Sequence, residues 1–488
     1  MTLLIPMLLP ILIGLTLPLL GKFSRVLRLC LCIGAQALTL AGCVWIVLRP
    51  ASLELWHLDN MLRIAFASDG TGNLFAVLVS FGWLIVGIYS MRYLDEYQNA
   101  KETRFLAFYM LSEGVLLAMC YADNLFSMYL FFELVTLLSM PLVLQDGTET
   151  SLKAALKYLF YSVAGAIVAL MGILLVCGNG GLNSLNFVAG GTQIEATSRA
   201  LWGVFLMCVG FAAKAGLYPL HGWLPSAHPV APSPASAVLS GLIAKAGVLA
   251  LIRVLFYLVA PGLVAGTWVQ TTLLILALIT VLMGSVMAYR EQLFKKRLAY
   301  SSVSQISYAL VGIFMLNQQA LTGALLQVVF HALVKIALFL SAGAVIYSTR
   351  KTQVPQLHGI GRQMPLTMGF FTLAALSLIG IPPTGGFVSK WHLCLAAMDS
   401  QLGAFTWLVP VVLLVSALLT AAYLLSISVD AFFPGKNHLP DEDEDVGMDR
   451  PIMWIPIALL AIAALLLGMF SDMSFNFVNS CISGLFEV

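Results

Sequence analysis

The sequence predicts an all-α, polytopic membrane protein with about 14 transmembrane helices. Of its 488 residues, 60% are hydrophobic and only 10% are charged, a composition typical of helical membrane proteins and not of soluble domains. Apolar stretches close to the roughly 20 residues that a bilayer requires recur along the chain. Basic residues between these stretches fall mainly on alternate connections, as expected when successive helices cross in opposite directions.

The predicted spans are numbered 1 to 14 in chain order, and each is defined by its length and apolar content. They comprise residues 2–21, 26–48, 70–91, 104–121, 123–143, 155–177, 200–219, 234–257, 267–289, 297–316, 319–348, 365–396, 404–432 and 451–470.

The basic residues predict the sidedness of the protein. Connections after even-numbered spans hold only Arg49, Arg63 and Arg199, whereas the connections after spans 1, 3, 5, 9, 11 and 13 hold many more. By the positive-inside rule, the odd-numbered connections face the cytoplasm and both termini lie on the outer side. We therefore expect a multi-pass protein of a prokaryotic cell (inner) membrane. The acidic run 441–445 falls in the last cytoplasmic connection, where it is either a solvated loop or a patch that docks a partner.

Glycine and proline interrupt two of the predicted spans. Gly216 and Pro219 begin a proline-rich break in span 7, and the segment 380–386, with Pro382 and Pro383, interrupts span 12. Such breaks free main-chain polar groups that need other partners in the membrane. A pair of interrupted spans at corresponding positions is also the sequence sign of inverted repeats with a site at the breaks.

Spans 4–8 and 9–13 accordingly predict two inverted five-helix repeats, because an odd number of helices gives successive units opposite topology. The chain then divides into a three-helix N-terminal segment, two repeats, and a last part with the acidic loop, the final helix and the tail. The boundaries are 1–95, 104–257, 267–432 and 433–488.

Titratable residues inside the spans are the strongest functional signal. A lysine at the centre of a membrane helix costs about 2.5–3.5 kcal/mol, so it is rarely there without a role. A buried ammonium, unlike a guanidinium, can release its proton near neutral pH, and histidine can pass a proton between its two nitrogens. A line of such groups predicts a path for protons. The candidate residues are Glu133, Lys214, Lys245, His331, Lys335 and Lys390.

Composition argues against several other functions. The net charge of +2 gives no electrostatic footprint for nucleic acid. The eight cysteines include no CxxC pair, so we expect neither a metal site nor a cofactor on this chain. Any redox chemistry would belong to another subunit, and whether the assembly is an enzyme is left open.

Five stretches, taken together and in order, resemble the antiporter-like subunits shared by respiratory complex I, Mrp-type cation/proton antiporters and membrane-bound energy-converting hydrogenases. The resemblance covers roughly residues 60–432. The stretches are Phe131–Leu137 (FFELVTL), Leu220–Ser236 (LHGWLPSAHPVAPSPAS), Lys296–Ser302 (KRLAYSS), Phe330–Lys335 (FHALVK) and Gly380–Trp391 (GIPPTGGFVSKW).

The resemblance implies a proton-translocating subunit of a larger complex, with other membrane subunits as partners and H⁺, alone or exchanged for Na⁺, as the cargo. It also implies that Glu133 pairs with Lys214. Lys390 would be the exit residue toward the outer side, a position at which the family carries either lysine or glutamate. The branch of the family is not decided by these residues.

Several residues keep alternative interpretations. Lys245 could form a structural ion pair, and His331 could be a satisfied core histidine. His221 and His228, near the first break, could line an outer vestibule or cap freed carbonyl groups. Glu113 in span 4 could make an interfacial hydrogen bond, act as a second acid on an entry route, or contact a neighbouring subunit.

Two other functions compete with ion translocation. A self-contained transporter of an organic solute would also suit inverted repeats with broken helices. Such a carrier needs a pocket with convergent polar groups, whereas the titratable residues here are spread singly over five spans. A plain membrane anchor for a soluble enzyme would not need four intramembrane lysines.

Overall fold

The helices of the computed structural model account for most of the chain. The structure describes residues 2–22, 24–59, 61–177, 181–434 and 448–486, and the acidic run 441–445 lies outside them. The helices are α1 (Leu4–Thr16), α2 (Arg25–Leu48), α3 (Gly70–Tyr93), α4 (Asn99–Cys120), α5 (Leu125–Val143), α6 (Glu149–Val176), α7 (Ser198–Ala215), α8 (Leu224–Val230), α9 (Ser233–Val238), α10 (Lys245–Arg253), α11 (Trp268–Arg290), α12 (Phe294–Phe314), α13 (Gln318–Thr349), α14 (Ile360–Gln363), α15 (Pro365–Ile379), α16 (Gly385–Met398), α17 (Phe405–Phe432), α18 (Pro451–Met469) and α19 (Ser471–Ser480).

A β-hairpin departs from the all-α prediction. Strands β1 (Ser52–His57) and β2 (Arg63–Ala67) pair antiparallel in the connection between α2 and α3. The Ser127 hydroxyl accepts a hydrogen bond of 3.1 Å from the Ala65 amide, which fixes β2 to the start of α5. Main-chain groups of a connection need partners, and a hairpin supplies them without a further helix. Hydropathy did not detect this hairpin because it detects only the long apolar runs.

Eleven helical segments of the described chain are long and apolar enough to cross a membrane. They correspond to predicted spans 2 to 9, 11, 13 and 14. The three other predicted spans fall on α1, on α12 and on the pair α15 and α16, which do not meet that criterion of length and hydropathy. The protein is thus a helical membrane protein, and the total of 14 spans is taken up below as part of the proposal.

Two helical segments lie at the centre of the molecule. The segment Ser233–Leu258 is buried along its whole apolar length, and α13 is almost as enclosed. A helix that is apolar on all sides is one that other helices surround. Both segments carry candidate residues, Lys245 on the first and His331 and Lys335 on the second. These charged groups therefore face protein and not lipid, since all three are at most 2% exposed.

Both predicted breaks are present as helix ends. Helix α7 ends at Ala215, followed by Gly216 with φ of 85°, and α15 ends at Ile379, followed by Gly380 with φ of 93°. This left-handed conformation favours glycine. In each case the next residue donates back to the last helical turn, Leu217 to Ala212 at 3.1 Å and Ile381 to Leu376 at 3.2 Å. The two breaks therefore use the same type of helix C-terminus.

The connections after α3, α5, α11 and α13 contact one another, and we call this side of the molecule the basic face. The Arg350 guanidinium pairs with Glu96 at 2.5 Å. The Tyr97 hydroxyl donates to Asp146 at 2.9 Å, and the connections after α11 and α13 also pair through their main chains. The hairpin and the start of α3 lie at the other end of these helices, on the opposite face.

An ion pair on the opposite face explains Arg253, a basic residue inside predicted span 8. Its guanidinium is buried and donates two hydrogen bonds, of 2.5 and 2.8 Å, to Asp69. Asp69 also caps α3 by accepting from the Gly72 amide at 2.8 Å. Burial raises the pKa of the Asp69 carboxyl, but the Arg253 charge and these hydrogen bonds outweigh it and hold the pKa below its usual value. The pair clamps α10 to α3.

Replacing Asp69 by asparagine should therefore destabilise the protein at neutral pH by about 3 kcal/mol, because the variant leaves a buried guanidinium without its counter-charge. A carboxylate whose pKa is lowered by folding contributes stability that is lost as the pH falls through that pKa, so the gap between wild type and Asp69→Asn should narrow below about pH 4. Thermal unfolding in detergent at several pH values measures both effects.

Lys153→Ala is the matched control, because it removes the exposed pair of Lys153 and Glu149 and should change stability by less than about 1 kcal/mol. A melting temperature of Asp69→Asn equal to that of wild type at neutral pH would contradict the clamp.

Candidate functional site

Lys214 on α7 is fully buried and is held by α5. Its amine donates to the Phe132 carbonyl at 2.8 Å and to the Thr136 hydroxyl at 2.6 Å, and it lies 4.2 Å from the centre of the Phe132 ring. Glu133 is the next residue on α5, and its charge attracts that of Lys214. The two are not in a direct ion pair. The Glu133 Oε1 atom is buried and has no hydrogen-bond partner in the described part of the chain.

Lys245 and Lys335 are linked through two adjacent serines of α12. The Lys245 amine donates to the Ser240 carbonyl at 2.5 Å, and the Ser240 hydroxyl is 2.6 Å from that of Ser302. The Lys335 amine donates to the Ser301 hydroxyl and, at 2.9 Å, to the Leu298 carbonyl. Ser240 belongs to a π-helical turn, Leu239–Ile243, that immediately precedes the start of α10.

His331 lies one turn from Lys335 on α13, and both of its ring nitrogens are buried without a partner among the described residues. It borders two small cavities. The one toward Lys390 has room for about one water molecule. The one toward Lys245 has room for none. His331 therefore separates a site that can hydrate from one that is dry.

Lys390 on α16 closes the second break. Its amine donates to the carbonyls of Leu378 and Ile379, at 2.6 and 2.8 Å, in the last turn of α15. It lies 5.0 Å from the centre of the Tyr308 ring. The carbonyl groups at the end of a helix have no helical partner, so the amine satisfies main-chain groups that the break leaves free.

A polar network beside Lys390 was missed by the sequence analysis. The Gln327 amide donates to the side chain of Gln305 at 3.2 Å, and the Ser389 hydroxyl donates to Gln327 at 2.7 Å. All three side chains are buried. The available signal was spacing, since Gln327 precedes His331 by four residues and so continues the polar stripe of α13 toward its N-terminus.

The two histidines near the first break are in different surroundings. The His221 ring stacks on Tyr218 and is partly exposed. His228 is completely buried, both ring nitrogens lack a partner among the described residues, and its ring stacks on Phe339 at 4.8 Å. The charges of Lys245, Lys295 and Lys335 all act on it. Because Lys295 lies at the basic face, His228 belongs between that face and the central amines. An outer vestibule therefore does not fit His228 as placed.

Glu113 is apart from this line. It lies on α4 with both carboxyl oxygens buried and without a hydrogen-bond partner among the described residues. The nearby Gln36 of α2 likewise has both amide atoms unpaired. The structure thus brings Glu113 together with the N-terminal helices and not with Lys214.

The four buried lysines share one feature. Each donates to main-chain carbonyls or hydroxyl groups, and within the described residues none is in an ion pair with a carboxylate. The interpretation of Lys245 as half of a structural ion pair therefore has no partner here. The described chain also contains no cluster of three or more His, Cys, Asp or Glu residues that could hold a metal ion.

Residues 122–420 match the family described as NADH:quinone oxidoreductase/Mrp antiporter, transmembrane. The chain belongs to this family. The match contains all six predicted path residues and both breaks. It gives no support to the interpretation as a carrier of organic solutes.

Relatives come from more than one branch of the family. NADH-quinone oxidoreductase subunit N of Desulforudis audaxviator is 35% identical over 81% of this chain and 80% of its own length. A protein of the Na(+)/H(+) antiporter of Alkalihalophilus pseudofirmus is 30% identical over 87% and 84%. A chain of the Mrp complex from Dietzia sp. DQ12-45-1b shares the fold, with a TM-score of 0.86 over 99% and 97% of the two chains and 22% identity.

The contact of Lys214 with Thr136 yields a prediction. Thr136→Val removes a hydroxyl that stabilises the charged amine, and a hydrogen bond to a charged group contributes about 1.5 kcal/mol. The variant should therefore stop binding protons about one pH unit lower than wild type, which would move the alkaline limb of its transport rate profile toward acid pH.

Thr136→Ser retains the hydroxyl and is the matched control, with a profile expected to follow that of wild type. Proton movement in membrane vesicles, measured from about pH 6 to pH 9, distinguishes the two variants. Identical profiles for the valine and serine variants would show that this contact has no part in proton binding.

Proposed function

We propose that the chain is the ion-translocating membrane subunit of a multisubunit complex and moves protons along Glu133, Lys214, Lys245, His331, Lys335 and Lys390. The observation that carries the proposal is the absence of ion pairs around the four lysines within the described chain. An amine held only by carbonyl and hydroxyl groups has no fixed counter-charge that would keep it an ammonium. It can therefore alternate between its charged and neutral forms, as a relay requires.

The path has two halves that meet at α12 and α13. Lys214, close to Glu133, belongs to the first half, and Lys390 ends the second. Ser301 and Ser302 link the middle amines, since a hydroxyl both accepts and donates a hydrogen bond. His331 can accept a proton on one nitrogen and release one from the other. Water entering the cavity beside Lys390 would complete the connection on that side.

The dry cavity between Lys245 and His331 is the proposed gate. A constriction without water cannot carry a proton by a hydrogen-bonded chain, and wetting of such constrictions is a known way to gate membrane pathways. In this scheme the partner subunits drive the step that hydrates the gap. Na⁺ exchange, which the name of one relative suggests, would use the same axis.

The architecture that goes with this function is 14 spans in two inverted repeats, spans 4–8 and 9–13, within a prokaryotic cell membrane. Support comes from the two breaks, which end in the same helix C-terminus. The basic face would be cytoplasmic by the positive-inside rule, with both termini outside. Spans 7 and 12 then present Lys214 and the carbonyls bound by Lys390 near the middle of the membrane.

The decisive variants are Lys214→Ala and Lys214→Arg in the complete complex. The alanine variant should reduce proton movement about 100-fold, which is the lower end of what a positioned proton-transfer group contributes. The arginine variant should rescue little of it, because a guanidinium remains protonated at any working pH. Inverted vesicles with a ΔpH-sensitive dye give the rates, driven once by a respiratory substrate and once by a Na⁺ pulse.

Lys153→Ala, an exposed lysine on α6, controls for the loss of a charge as such. Immunoblots of the same membranes check insertion. Near-normal transport by Lys214→Arg would mean that the position needs a charge and not a proton exchange, and would overturn the relay.

A further inference from the structure

Lys295 is a buried lysine that the proposed path does not use. It is the second residue of α12 and is only 8% exposed. Its amine donates to the Ala231 carbonyl, in the short link between α8 and α9. Its neighbour Lys296 is partly exposed and pairs with Glu291 at 2.7 Å. The two adjacent lysines therefore differ, since one is at the surface with a counter-charge and the other points into the protein.

A polar cavity of about 200 Å³ leads from the basic face to Lys295. Asp146, in the connection after α5, is exposed at its mouth and accepts the hydrogen bond of the Tyr97 hydroxyl. Ser233 and Val230 belong to its walls. The space is large enough for several water molecules, so Lys295 has aqueous access in spite of its low exposure. The carboxylate of Asp146 and the amine of Lys295 also attract one another.

His228 lies on the inner side of Lys295. It is the fully buried histidine with two unpartnered nitrogens, stacked on Phe339 one turn beyond Lys335 on α13. The charges of Lys295 from the basic face, and of Lys335 and Lys245 from the centre, reach this one ring. A buried imidazole without a partner in the middle of three amines has no structural bond to explain it. Its position suits transfer between them.

We infer that this cavity is the entrance of the path on the basic face, with Asp146 attracting protons to its mouth, Lys295 receiving them and His228 passing them inward. The inference rests on the proposed function. A hydronium ion in the cavity gives its proton to the neutral amine of Lys295 and becomes water. The ammonium passes a proton, directly or through water, to the bare ring nitrogen of His228. The other ring nitrogen releases its proton to the neutral amine of Lys335 or Lys245, so one proton enters and one moves on.

Chemical rescue of Lys295→Cys tests the entrance. In inverted vesicles the basic face is outward if it is cytoplasmic, so thiol reagents reach the cavity. The variant should lose about 100-fold in proton movement. Aminoethyl methanethiosulfonate rebuilds a titratable amine on the cysteine and should restore most of the rate. The trimethylammonium reagent adds a permanent charge, and the ethyl reagent adds only bulk. Neither should restore it.

Matched controls separate this inference from the function on which it rests. Wild-type vesicles treated with the same reagents report effects on the native cysteines, and Lys153→Cys places a thiol on the same face outside the cavity. Full transport by untreated Lys295→Cys, or equal rescue by the trimethylammonium or ethyl reagent, would overturn the entrance. If Lys214→Ala still blocks transport in that experiment, the proposed function stands; if Lys214→Ala is as active as wild type, it falls.

If Lys295→Cys does not accumulate in the membrane, Asp146→Asn supplies the test, because Asp146 is exposed and its replacement should be tolerated. Its rate should fall more at high pH, where protons are scarce, than at low pH. A uniform loss at all pH values, or no loss, would count against a proton-collecting role for this carboxylate.

Discussion

The rest of the structure depends on one constraint, namely that polar groups within a bilayer must find partners inside the protein. The chain meets it by pairing two kinds of group that would each be costly alone. Carbonyl groups freed at the second break accept from the Lys390 amine. The Phe132 carbonyl and Thr136 hydroxyl do the same for Lys214. The amines are thereby stabilised without carboxylate partners, and remain free to change charge.

Helix α12 brings the two halves of the site together. Its Ser301 and Ser302 point to different amines, Lys335 on α13 and Lys245 on α10. The same helix begins with Lys295 at the basic face. A small displacement of α12 would alter several contacts of the axis at once, so this helix is well placed to couple proton movement to changes in neighbouring subunits.

Long apolar runs made most of the fold predictable. The prediction 26–48 became Arg25–Leu48, and 404–432 became Phe405–Phe432, because lipid contact imposes the same requirement on every residue of a span. The breaks were predictable since glycine and proline act locally. Partners were not, because helix rotation and packing decide them. Lys295 counted as a surface charge in the sequence yet is buried, and the stripe from Gln327 to Lys335 was recognised only in part.

The dry gap beside His331 has a consequence for the energy store of the membrane. At about 100 mV, each proton crossing the bilayer carries about 2.3 kcal/mol, and a continuous wet path would let that energy dissipate as a leak. In this conformation the space between Lys245 and His331 holds no water. The resting subunit would therefore act as an insulator, and a cell could keep many copies in its membrane without short-circuiting its own gradient.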